Sequence, residues 1–178
     1  AGSGNNPDAM AMTLLLCGPK PTLDDYARCY KEKIKFINGM AAGERRLAYM
    51  RGELNAMRET PSAYQKYFEN FKDNQMWFSE GILDIKTGRV ISDPNYSKEL
   101  FFENVYKANW GKAPSGDLYN AYMLAKNWRD VLQKSLWVNK GNPNTEKLRK
   151  ALRDMLADPE SISIIEKDNG KYEFLVGN

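Results

Sequence analysis

Residues 33–59 constrain the fold of this chain most strongly, because apolar runs and glycine turns alternate there. An apolar run at 34–37 leads into a glycine turn, a short helical pattern that ends at Gly52, and a second apolar run at 54–57. Two strands joined by a helix run parallel, and their carboxyl-end loops meet on one edge, where open α/β sheets bind ligands. The stretch therefore predicts an α/β ligand-binding domain.

Periodicity and capping residues predict the other elements in the same way. Helices are predicted near residues 7–17, 43–51, 115–132 and 143–156, and strands near 34–38, 53–57, 75–79 and 135–138. Trp128 and Trp137 are predicted to lie in the core, with an aromatic ligand wall as the alternative. The polar segment from Asp84 to Asn95 predicts turns. This alternation of helices and strands is typical of an α/β fold.

Composition narrows the class of protein. A chain of 178 residues with 42% hydrophobic residues has the size of one domain, or of one domain and part of another. The 26 basic and 23 acidic residues are interspersed, which argues against a nucleic-acid-binding tail. No apolar run approaches the roughly 20 residues that a membrane span needs. The start at Ala1, without an initiator Met, suggests a mature or trimmed product.

The reactive residue types are few. Cys17 and Cys29 flank a Gly-Pro-Lys-Pro turn, and they either form a disulfide in an oxidising compartment or act as buried apolar residues in a reducing one. The chain has no His, which removes the usual zinc ligand sets and any Ser-His or Cys-His dyad. We therefore expect no metal, no cofactor and no catalytic residue.

Two predicted helix starts are suited to an anion. Each combines glycines with unpaired helical amides and the positive end of a helix dipole, and arginines nearby can grip a carboxylate. An ordinary turn or a solvated ion pair is the competing interpretation of each residue. The predicted ligand-binding residues are Ser3, Gly4, Asn5, Asn6, Gly43, Glu44, Arg45 and Arg58.

The order of these motifs resembles the C-terminal part of the Bug-type periplasmic solute-binding proteins of tripartite tricarboxylate transporters. The resemblance is carried by Ala-Gly-Ser-Gly-Asn at 1–5, Arg-Gly-Glu-Leu-Asn-Ala at 51–56, Leu-Trp-Val-Asn-Lys-Gly-Asn-Pro at 136–143 and Leu-Ala-Asp-Pro-Glu at 156–160. It covers nearly the whole chain in order. Asn55 stands where the family commonly has an acidic residue, and Asn142 where it has Thr.

The resemblance implies a periplasmic-binding-protein type II-like lobe, an α/β structure with a mixed β-sheet flanked by helices. Residues 1–132 would form the second lobe of a two-lobed receptor, and residues 133–178 would return to a first lobe that this chain lacks. The implied function is that of a non-catalytic periplasmic receptor, or a fragment of one, for a small organic anion, with the membrane components of a transporter as partners. Apolar faces in the C-terminal segment also predict a homodimer. The alternative is an α/β enzyme domain that acts on a small anionic substrate.

Overall fold

A computed structural model describes residues 6–67, 76–84, 86–132 and 136–169. The helices in this part are α1 (Pro7–Cys17), α2 (Leu23–Lys33), α3 (Ala42–Met50), α4 (Pro61–Tyr67), α5 (Phe102–Trp110), α6 (Asp117–Leu132), α7 (Thr145–Ala157) and α8 (Pro159–Asn169). Strands β1 (Ile82–Asp84) and β2 (Arg89–Ile91) form an antiparallel pair, and a 3-10 turn spans Lys98–Leu100. The chain divides into a first unit, residues 1–48 with 75–134, and a second unit, residues 49–74 with 135–178.

Helix α1 is the central element of the first unit. Its start is set by Asn6, whose side chain accepts a 2.9 Å hydrogen bond from the amide of Asp8, while Pro7 takes the first helical position. Its buried residues include Ala11 and Leu14. Because it packs against α6, α2 and α5, α1 is apolar on most sides and forms the middle of a helical core.

Aromatic side chains fill the space beside α1. Phe102 is fully buried, and its ring centroid lies 4.8 Å from that of Tyr122 and 5.8 Å from that of Phe78. Burial raises the pKa of Tyr106, beside Phe102, to about 12. Such tilted and edge-on ring pairs stabilise a core beyond the area that they bury.

A disulfide between Cys17 and Cys29 joins the end of α1 to α2. Both cysteines are buried. Of the two alternatives that the sequence leaves open, the structure has the disulfide.

The second unit is built differently. Within the described residues, α7 packs on α8, and α8 packs on α4. No residue in 49–67 or 136–167 is fully buried. Over the described residues, the helices of this unit therefore touch one another without enclosing a core.

The predicted fold class is wrong. The described residues are mostly helical, and the sheet that they contain has two short antiparallel strands, so they do not form a periplasmic-binding-protein type II-like lobe with a mixed β-sheet. The sequence predicted turns from Asp84 to Asn95, but β2 lies within this segment and β1 ends at its first residue.

The predicted strands do not form a sheet within the described residues. Residues 34–38 and 53–57 have no strand partner there, nor do 136–138. Ser79, at the end of the predicted strand 75–79, makes an isolated parallel bridge to Phe101. Gln75 and Ser135 lie outside the described residues. The apolar patterns at 34–38 and 53–57 contain partly buried positions, but a strand also needs a neighbouring strand, which a local pattern does not supply.

The predicted helices are confirmed. The four ranges 7–17, 43–51, 115–132 and 143–156 each fall within two residues of α1, α3, α6 and α7.

The predicted core positions of two tryptophans are wrong, since Trp128 is 64% and Trp137 is 77% exposed. The division into a lobe at 1–132 and a returning segment at 133–178 stays a prediction.

Candidate functional site

The first predicted helix start uses its polar groups locally. Asn6 caps α1 through its side chain, and its carbonyl oxygen accepts a 3.1 Å hydrogen bond from the amide of Met10. The other predicted residues of this loop, Ser3, Gly4 and Asn5, lie outside the described residues. At Asn6, therefore, the predicted ligand-binding side chain already serves the first turn of its own helix.

The second predicted helix start carries its own carboxylate. Glu44 accepts a 3.0 Å hydrogen bond from the amide of Ala41, and the amide of Arg45 donates to the carbonyl of Ala41 at 2.9 Å. The Glu44 bond is one half of a capping box, with the acid in the first turn, and Ala41 has no side-chain oxygen to form the other half. Gly43 lies exposed in the same turn. The negative charge of Glu44 thus occupies the position that favours an anion.

Arg58 belongs to the second unit, whereas Asn6, Gly43, Glu44 and Arg45 belong to the first. Arg58 lies between α3 and α4 in a segment without helix or strand, and its side chain is half-buried. The structure brings Gly43, Glu44 and Arg45 together in one helical turn. A single anion site shared by all the predicted residues stays a prediction.

A cluster of partly or fully buried polar side chains in the first unit was not predicted. Its centre is Arg129 on α6, which donates from Nη1 to the carboxylate of Asp8 and from Nη2 to that of Glu80. Burial alone would lower the pKa of Arg129, but the carboxylates of Glu80 and Asp8 outweigh it and raise the pKa. Lys126, only 1% exposed, donates from Nζ to Asp130. We call this set the polar cluster: Asp8, Glu80, Glu103, Tyr119, Tyr122, Lys126, Arg129 and Asp130.

Two tyrosines extend the polar cluster. The hydroxyl of Tyr122 donates to Glu80 at 3.4 Å, and that of Tyr119 donates to Oε1 of Glu103 at 2.9 Å. Burial raises the pKa of both tyrosines, and the neighbouring carboxylates raise it further. Burial also raises the pKa of Glu103, against the smaller opposing effect of the Tyr119 hydrogen bond.

The arrangement of the polar cluster is that of a stabilising network. Each of its carboxylates accepts at least one hydrogen bond from a group in the cluster. The described residues contain no group of three or more acidic or cysteine side chains placed to hold a metal ion. The cluster links α6 to α1, to α5 and to the segment before β1. It ties the first unit together through ion pairs and hydrogen bonds between segments that are distant in the sequence.

The sequence did carry a signal for this cluster. Tyr119, Tyr122, Lys126 and Arg129 recur at helical spacing on α6, which places them on one face. The sequence pattern instead predicted that Trp128 of the same helix lies in the core. A stripe that mixes tyrosines with charges can face inward when carboxylates from other elements meet it.

A shallow depression lies beside the disulfide. It is lined by Lys20, Pro21, Asp25, Arg28, Cys29 and Glu32. Arg28 and Asp25 form an ion pair across it at 2.5 Å. With two basic and two acidic residues in its lining, the depression has no charge preference for an anion.

The second unit presents apolar side chains to solvent. Leu136 is 69% exposed, Trp137 is 77% exposed and Ile164, on α8, is 59% exposed. Exposed apolar side chains mark an interaction site where they form a contiguous patch.

Comparison with known proteins gives no relative to guide the assignment: no protein-family model, curated protein or solved structure matches this chain. Over the described residues, the structure has no helix with the length and apolarity that crossing a membrane requires.

Proposed function

We propose that this chain is a non-catalytic binding module that works in an oxidising compartment, such as the periplasm, and whose second unit docks against another polypeptide. One observation carries the proposal. The first unit has a packed aromatic core, whereas residues 49–67 and 136–167 of the second unit contain no fully buried residue. Folded units gain their stability by burying apolar surface, so a unit without a core needs a covering surface from elsewhere.

The disulfide supports the location. Disulfides persist in oxidising compartments and are rare where glutathione and thioredoxin keep thiols reduced. Cys17 at the end of α1 and Cys29 within α2 are both buried, so the bond is protected from exchange with other thiols. Alkylation under denaturing conditions, followed by mass measurement, should find no free thiol in protein isolated from its native cells. Full alkylation of both cysteines would contradict the proposed location.

Amide hydrogen exchange of the isolated chain tests the docking function. If the second unit lacks its covering surface, amides in α7 and α8 should exchange much faster than those in α1 and α6, and an apolar dye should bind. The disulfide-linked α1 provides the internal standard. Equal protection of the two units, without dye binding, would show that the second unit is complete in itself and would end the proposal.

A second candidate is the receptor that the resemblance implies, with a small organic anion as ligand. The observation that favours it is the partial burial of a predicted site residue, Arg45. A half-buried guanidinium group recognises a carboxylate better than one in open solvent, since fewer water molecules compete for it.

A thermal-shift screen tests the anion. Dicarboxylates should raise the unfolding temperature of the wild-type chain, because a ligand bound by the folded state alone must stabilise it. Arg45→Ala should abolish the shift, while Arg28→Ala, in an exposed ion pair, should retain it. An unchanged unfolding temperature across the acids, or equal shifts in all the variants, would count against the receptor.

A further inference from the structure

The outer face of α8 carries a charge pattern that complements itself. Glu160, Ile164 and Lys167 are all exposed, and they follow one another at spacings of four and three residues. With about 3.6 residues per turn, these spacings place all three on one helical face. Along the helix, this face therefore carries an acidic residue, an apolar residue and a basic residue in that order. The apolar residue in the middle, Ile164, is 59% exposed.

The inner face of α8 is already occupied. Ile162 and Ile165 are partly buried, and α8 packs on α7 and α4. Among the described residues, Glu160 and Lys167 take part in no ion pair. Their charges are thus available to a partner on the side where Ile164 faces solvent.

We propose that this face of α8 pairs with the same face of a second copy, with the two helices antiparallel about a twofold axis. In that arrangement Glu160 of one copy lies opposite Lys167 of the other, twice over, and the two Ile164 side chains meet near the axis. A twofold interface requires one patch to be its own complement, and the order acid, apolar, base meets that requirement. An unrelated partner would have no need of such self-complementarity.

The proposal rests on the proposed function, because it takes the second unit to be a docking surface. A contact centred on one helix face is smaller than a standard interface of about 1,600 Å². The dimer is therefore weak, and its population depends on protein concentration. Wild-type chain should show a monomer–dimer equilibrium in analytical ultracentrifugation.

Two charge reversals give the decisive experiment. Glu160→Lys places like charges opposite each other in a homodimer, and so does Lys167→Glu. Each variant alone should dimerise about tenfold or more weakly than the wild type, since two attractions become two repulsions. An equimolar mixture of the two variants should associate again, because every opposed pair is then acid and base. The double variant Glu160→Lys/Lys167→Glu should dimerise like the wild type.

The controls separate this interface from other effects. Lys147→Glu makes the same charge change on α7 and should leave dimerisation unchanged, while Ile164→Asp should abolish it. Circular dichroism of each variant checks that the helices remain folded, and the mixing result cannot arise from unfolding. The proposed dimer would be wrong if the wild-type chain stays monomeric at its highest soluble concentration. It would also be wrong if the two variants fail to associate on mixing. Hydrogen exchange would still decide the docking function on its own.

Discussion

Arg129 and Asp8 are 121 positions apart in the sequence, and their side chains form an ion pair that joins α6 to the first turn of α1. The same guanidinium group also pairs with Glu80, which precedes β1. Three segments that are distant in the chain thus meet at one cation. Because each partner side chain is at most 23% exposed, water screens these charges little.

We expect Arg129→Ala to destabilise the first unit by about 3 kcal/mol, because it leaves two shielded carboxylates without their cation. Urea unfolding followed by circular dichroism measures the change. The matched control is Arg28→Ala, which removes an arginine from the exposed pair with Asp25 and should leave the midpoint unchanged. Similar effects of the two substitutions would show that the polar cluster contributes no more than a surface ion pair.

The buried carboxyl group of Glu103 predicts a pH dependence. Since burial raises its pKa above the ordinary 4.5, the folded state holds this proton more tightly than the unfolded state does. Its contribution to stability is therefore constant below pH 4.5, falls as the pH rises through the folded-state pKa, and is constant again above that value.

Glu103→Gln should remove this dependence while keeping an oxygen that accepts from Tyr119. The unfolding free energies of the variant and of the parent, measured across pH 4–8, should be similar at the acidic end. As the pH rises, the variant should become increasingly more stable than the parent. In the parent, the hydrogen bond from Tyr119 lowers the pKa of Glu103. Tyr119→Phe removes that bond and raises the pKa, so the fall in stability should extend to higher pH. A constant difference between Glu103→Gln and the parent across the range would rule out the titration.

Helices were predictable from this sequence because their signals are local. Asn6 and Pro7 mark the start of α1, and Gly18 marks its end, all within one short stretch. Capping and periodicity involve residues at most a few positions apart, so a single sequence contains the whole signal. The same reasoning placed α3 between its capping turn and Gly52.

The strand predictions went wrong because an apolar pattern does not show whether a neighbouring strand exists. Residues 34–38 have the apolar residues of a strand, yet in the described residues no other strand lies beside them. The pair that does form, β1 with β2, is closed by the turn around Gly88 within a segment rich in polar residues. Its hairpin depends on that turn more than on apolar alternation.

The predicted anion site stays a prediction, but two of its residues already have local partners. Asn6 and Glu44 were chosen because helix starts suit anions, but both side chains satisfy the amides of their own helices. The polar cluster was missed because its members come from separate segments, and only the tertiary fold brings Glu80 to Arg129. Sequence spacing on α6 indicated a shared face but could not say that the face is buried.

The junction between α1 and α2 predicts a strict requirement for glycine. Gly18 has φ +66, and a methyl group there would lie 2.6 Å from the indole ring of Trp110. That ring is held in place by a 3.1 Å hydrogen bond from its Nε1 to the carbonyl of Leu15. Gly18→Ala therefore combines backbone strain with a clash against an anchored side chain.

Gly111→Ala is the control without the clash, although its backbone is left-handed helical (ψ −3), whereas that of Gly18 (ψ −163) lies in a region that only glycine readily adopts. Gly111 also has positive φ, at +74, but a methyl group there meets nothing within 4 Å. We expect Gly111→Ala to cost about 1 kcal/mol from backbone strain alone, and Gly18→Ala to cost at least about 2 kcal/mol more. Thermal unfolding of the two variants measures the difference. Equal losses would mean that the Trp110 ring moves aside at no cost.

The disulfide predicts how the first unit responds to a reductant. Cys17 and Cys29 are 12 positions apart, so the bond closes a short loop and restricts the unfolded chain. We expect the double variant Cys17→Ala/Cys29→Ala to be about 3 kcal/mol less stable than the oxidised parent. Urea unfolding with and without dithiothreitol measures this, and the reduced parent should approach the double variant.

The double variant serves as its own control, because a reductant has no bond to break in it and should leave its midpoint unchanged. Both sulfur atoms belong to buried residues, so reduction of the native parent should be slow and should speed up in mild denaturant. If the parent, with both thiols shown to be free, unfolds at the same urea concentration as the oxidised chain, the bond does not stabilise the fold. The close packing of α1 on α2 would then hold the junction without a covalent link.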